Sequence, residues 1–189
     1  MYFIERFFED LDVYLEQNIN TISCDELANL YFRFIAKIES YFANTRDFTG
    51  LTEFIIFRAL HHLFSEEINK GELELIANAL VGKRQPDIVL RYNNEFYTVI
   101  SVKSNMDTGY SRITKDFNKT QELAEQYHNI KTLTISFDNK VTTGQIKFME
   151  TKRSENPFYN FIFLRKNPMK FKDIAYTYVF NTLNKEAGT

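Results

Sequence analysis

A chain of 189 residues with 44% hydrophobic and 16% aromatic side chains is long enough for one packed core and too apolar for wholesale disorder. Its one cysteine, Cys24, excludes a disulfide framework within the chain and a cysteine-based zinc site. The net charge of −2 hides an asymmetry: residues 1–70 hold 6 Lys/Arg against 12 Asp/Glu, whereas residues 151–189 hold 7 against 3, so a polyanion is expected to meet the C-terminal part.

Residues 2–18 read as a helix, with Phe3, Ile4, Phe7, Phe8, Leu11 and Leu15 at helical spacing. Acidic and basic residues interrupt every early apolar run, so no signal peptide is expected, and no stretch approaches the roughly 18 apolar residues of a membrane helix. A cytoplasmic protein with no membrane partner is the expectation. Ser23-Cys24-Asp25-Glu26 matches a capping box and predicts a second helix that ends near Asn44. A third helix is expected over Leu51–Phe64. It is apolar almost all round, so most of it should be buried, with Glu53 as a carboxylate near its start.

After Gly71 the pattern becomes extended. Glu72–Ile76 alternates as a strand does, and Ala77–Val81 is ambiguous. Pro86–Tyr92 and Glu95–Lys103 read as two strands joined at Asn93-Asn94, a pair that tolerates the positive φ of a tight turn. Residues 111–127 return to helix, with Ile113, Phe117, Thr120, Ala124 and Tyr127 on one stripe. Lys131–Phe137, Gln145–Met149 and Phe158–Leu164 are expected strands, and Phe171–Leu183 a closing helix. A helix between strands 95–103 and 131–137 implies a crossover with parallel pairing. The expected class is α/β: one domain with a mixed central sheet, an N-terminal helical part (1–48), a core (51–138) and a C-terminal αβ extension (139–189).

The chemistry-bearing constellation is Pro86-Asp87, then Ser101-Val102-Lys103. The hairpin turn lies midway between them, so the chain brings Asp87 and Lys103 to the same end. Ser101 and Lys103 are two apart and share a face. A strict two-residue turn pairs Asp87 with Ile100, on the wrong face. A three-residue turn or one bulge pairs it with Ser101. Asp87 suits a divalent cation, and a lysine beside it can orient or deprotonate an attacking water.

These residues resemble the PD-(D/E)xK nuclease superfamily, the restriction-endonuclease-like proteins, over roughly residues 51–138. The resemblance implies an αβββαβ core and Mg²⁺-dependent hydrolysis of DNA phosphodiester bonds, with Mn²⁺ substituting, in a restriction or other defence role. Asp87 then holds metal and Lys103 serves the water. Ser101 stands where the family carries its second acid. That carboxylate is therefore expected first from Glu53, on the helix before the hairpin, then from Glu122 or Asp116 on the helix after it, then from Glu74. If none closes on Asp87, the same fold becomes a non-catalytic module that binds nucleic acid or a protein.

Lys83 and Arg84, next to Pro86, and Arg112, Lys115 and Lys119, on the following helix, are candidate phosphate contacts. Lys152, Arg153, Arg165, Lys166, Lys170 and Lys172 form the basic tail. The Phe-rich N-terminal helices are expected to serve a homodimer; alone, they also allow an unrelated helical interaction protein. His61-His62 cannot chelate one ion easily from adjacent helical positions, and His128 is an ordinary helix-end histidine. Neither phosphate-binding glycine loop occurs, so no nucleotide cofactor is expected, and no G-x-S-x-G motif is present.

Overall fold

Apolar residues at helical spacing build α1 (Tyr2–Asn18), α2 (Cys24–Glu39) and α3 (Leu51–Leu63). The computed structural model describes residues 2–39, 50–105, 109–127, 130–138 and 140–180. The capping box at Ser23 forms as expected. Ser23 N donates to Glu26 Oε2 at 2.8 Å, and Glu26 N donates to Ser23 Oγ at 3.2 Å. The expected end of α2 near Asn44 lies outside the described residues, as do His128 and the expected reach of the last helix to Leu183. Phe7 of α1 packs on Phe34 of α2 at 3.9 Å between ring centres, and Phe8 packs on Phe54 of α3 at 4.6 Å. Arg58 of α3 clamps Asp12 of α1 through two bonds of 2.7 and 2.9 Å. Burial opposes ionisation of Asp12, but Arg58 and His62 together hold its carboxyl below the usual range. His62 therefore belongs to the α1–α3 contact.

A short helix, α4 (Ser65–Asn69), leads to five strands: β1 (Leu73–Ala77), β2 (Ile88–Tyr92), β3 (Glu95–Asn105), β4 (Lys131–Asp138) and β5 (Tyr159–Phe163). They form a mixed sheet in the order β1-β2-β3-β4-β5. β1, β2 and β3 pair antiparallel, while β3/β4 and β4/β5 pair parallel across α5 (Tyr110–Gln126) and α6 (Thr143–Glu155). The fold is thus a mixed α/β one, with the helix-linked parallel pairing that the sequence predicts.

One segment corrects the sequence reading. Gln145–Met149 is not a strand but lies inside α6. Its start is a second capping box. Thr142 Oγ1 accepts from Gln145 N at 3.3 Å, and Gln145 Oε1 accepts from Thr142 N at 2.7 Å. Short apolar runs leave helix and strand ambiguous, and here the cap decides. Within the described residues the closing helix forms as α7 (Phe171–Ile174) and continues as a π-helical turn over Ala175–Val179.

The sheet has two unlike faces. Ile88, Leu90, Ile100, Val102, Leu133, Ile135, Phe137 and Ile162 join α1, α2, α3 and α7 in one large core. The opposite face meets α5 and α6 in two smaller clusters, one around Phe117 and Tyr159, the other around Val89, Val99 and Leu123. Among the described residues no helix is long and apolar enough to cross a membrane.

Candidate active site

The hairpin turn is Asn93-Asn94, both with positive φ (50° and 67°), which suits a two-residue hairpin loop. Tyr92 pairs with Glu95 and Arg91 with Phe96, and then the register shifts. Leu90 pairs with Thr98 and Ile88 with Ile100, leaving Tyr97 as the extra residue of a bulge. The bulge decides which face Asp87 joins. Extended by one residue, the register sets Asp87 opposite Ser101, and the side chains meet: Ser101 Oγ donates to Asp87 Oδ2 at 3.2 Å. Val102 N donates to the same oxygen at 2.5 Å. The Asp87 backbone is held too, since its carbonyl accepts from Asn78 N at 3.0 Å. Lys103 follows Ser101 on the same face, about 6.6 Å further along the strand. It is half-buried and makes no ion pair among the described residues.

Asp87 stands at the border of two cavities. One, of about 460 Å³, lies at the start of α3 and is lined by Glu53, Phe54, Phe57, Ala77 and Asp87. Burial and then the Asp87 charge hold the Glu53 carboxyl above the usual range. Glu53 has no hydrogen-bond or ion-pair partner among the described residues; Arg58 lines the same cavity but is engaged by Asp12. The other cavity, of about 350 Å³, lies under α5 and is lined by Asp87, Ser101, Thr134, Asp116, Lys119 and Lys83, among others.

The remaining candidates divide clearly. Asp116 lines the second cavity with Asp87; its Oδ1 accepts from Lys119 at 3.3 Å, while its buried Oδ2 has no partner. Glu122 turns to Arg84 instead and is largely exposed. Arg84 reaches it from a tight turn, in which Val81 and Arg84 exchange backbone bonds around Gly82-Lys83. Gly82 needs its positive φ of 60°, and a Cβ there would lie 2.6 Å from Gln126 Oε1. Glu74 pairs with Arg91 at 3.0 Å, and from the Ala77–Ile88 pairing it sits several residues up the strand from Asp87. Arg112 and Lys115 are exposed on the first turns of α5, outside both cavities. In the basic tail, Lys152 bonds Glu155, Arg153 bonds the Tyr178 hydroxyl, and Arg165 bonds Asp138.

Sequence reasoning missed Thr134. It pairs with Ser101 across β3/β4 and is 8% exposed, with its side chain on the α5 face. The signal was present: Thr132, Thr134 and Ser136 alternate with Leu133, Ile135 and Phe137, which marks one hydroxyl-bearing face. Among the described residues no group of three or more His, Cys, Asp or Glu side chains is gathered as a metal cluster. Oxygen donors are what a hard divalent cation selects, and Asp87 and Glu53, which line one cavity, are donors of that type. Compared with known proteins, the chain matches no family model, no curated protein and no solved structure.

Proposed function

We propose that this chain is a Mg²⁺-dependent nuclease that hydrolyses DNA phosphodiester bonds, built on a restriction-endonuclease-like core. The observation that carries the reading is the bulge at Tyr97: it sets Asp87 opposite Ser101, on the face that also bears Lys103, while Glu53 shares a cavity with Asp87. The element order α3-β1-β2-β3-α5-β4, interrupted only by the short α4, supports the αβββαβ core.

Glu53 and Asp87 would hold the cation, with Asp116 as the alternative second carboxylate from the α5 side. The cation supplies charge withdrawal from the phosphate and a more acidic water. Asp87 is fixed for this work, because Ser101 and Val102 both bond Oδ2 and Oδ1 accepts no bond from the described residues. Ser101 therefore orients the ligand carboxylate and does not replace the family's second acid. Lys103, free of any ion pair among the described residues, orients the attacking water and offsets phosphate charge. Lys83 offers a phosphate contact, whereas Arg84 and Lys119 must first leave Glu122 and Asp116.

The test is plasmid cleavage with Mg²⁺ or Mn²⁺. Cutting by the wild type that is lost in Asp87→Ala and Lys103→Ala proteins is the expected outcome; cutting unchanged by both substitutions would exclude this site. A wild type that binds DNA but never cuts it would identify the non-catalytic module.

A further inference from the structure

We infer that the cavity under α5 is a pocket for one unstacked nucleotide, so the preferred substrate carries a single-stranded end or flap next to the bond cut at Asp87. This deepens the nuclease reading and rests on it for the position of the cut. The pocket itself stands on separate observations.

The cavity holds about 350 Å³, at the lower end of the roughly 300–1,000 Å³ typical of small-ligand sites. It lies between one helix and the sheet, so a base still paired in its stack cannot enter. A base taken out of the stack can. Its floor is polar where a structural floor would be apolar. Thr134 is 92% buried by its 8% exposure, lines the cavity, and its hydroxyl has no hydrogen-bond partner among the described residues. Beside it Asp116 lines the same cavity, and its buried Oδ2 has no hydrogen-bond partner among the described residues; a buried acceptor without a partner is costly, so a ligand donor such as a base amino group is the economical explanation. Val99 and Leu123 supply apolar wall for a ring. Lys83, exposed and without an ion pair among the described residues, stands on the rim for a phosphate. Asp87 lines both this cavity and the one with Glu53, so the phosphate of a nucleotide seated here lies next to the proposed cation site.

A nucleoside monophosphate unit has this chemistry whether it ends a strand or is free, and the experiment separates the two. Binding is measured in EDTA by fluorescence anisotropy, with a blunt hairpin duplex and the same hairpin carrying a short single-stranded extension. Free dAMP serves as competitor. The extension should tighten binding roughly ten-fold, as the capture of one base allows. Thr134→Leu, which fills the floor, should abolish that gain, and the exposed Lys83→Ala should reduce it without threatening the fold. Equal affinity for both hairpins, or a gain that survives Thr134→Leu and Lys83→Ala in proteins with wild-type circular dichroism, would overturn the inference. Displacement by dAMP assigns the pocket to a nucleotide unit as such; a retained gain under saturating dAMP assigns it to a strand end. Because no cation is present, failure here is distinct from failure of the nuclease reading, which appears as absent Mn²⁺-dependent cutting.

Discussion

The two faces of the sheet divide the labour of the molecule. Toward α1, α2, α3 and α7 the strands present Leu90, Ile100, Leu133, Ile135 and Phe137, joined in one continuous apolar cluster. Toward α5 the same strands present Ser101, Lys103, Thr134 and Ser136, and the apolar contacts split into two clusters on either side of them. Alternation along a strand makes this possible, since neighbouring residues point to opposite faces. One face can therefore hold the fold while the other keeps polar groups available. The lesson is that substitutions one residue apart should report on different properties.

The largest expected effect lies on the polar side. Asp87→Asn, which keeps an acceptor for Ser101 Oγ and Val102 N, and Lys103→Ala should each lower Mg²⁺-dependent cleavage on the order of 10³-fold, about 4 kcal/mol of barrier, while leaving the melting temperature close to wild type. A comparable loss of stability in both would break the comparison. Next comes the dry side: Phe137→Ala, at a fully buried position, should cost about 3–5 kcal/mol in denaturant unfolding. Thr134→Val, a few residues away on the other face, should change stability by no more than about 0.5 kcal/mol. Arg58→Ala, which releases Asp12 at a partly exposed clamp, should cost about 1 kcal/mol.

The smallest effect concerns Glu53. Its folded-state pKa is raised, so the folded protein favours the protonated carboxyl, and ionisation opposes folding as pH rises through that value. Without cation, Glu53→Gln should raise the melting temperature by roughly 2 °C at about pH 7, and the difference should vanish near pH 4. Added Mg²⁺ should stabilise the wild type and not the variant.

Much of this arrangement was legible in the sequence because it follows from short-range rules. Helical spacing and the Ser23 capping box gave α1 and α2, and β-branched runs around Asn93-Asn94 gave the hairpin. The side of the sheet that Asp87 joins was not legible. It depends on one extra residue, Tyr97, which no local pattern marks; its ring lies 5.5 Å from that of Phe180, far along the chain. The α6 segment was misread because Gln145–Met149 alternates over a few residues, although Thr142 and Gln145 already spelled out a helix start. Glu122 illustrates another limit: its reach to Arg84 depends on the Val81–Arg84 turn, which no residue pattern on α5 announces.

The central claim is that Asp87 and Glu53 together hold a divalent cation. Crystals soaked in Mn²⁺ and measured for anomalous scattering test it directly. The account predicts a peak bonded to oxygens of both Asp87 and Glu53, lost in Asp87→Ala crystals. A saturating soak with no manganese at Asp87, or with manganese bound only elsewhere, would contradict it.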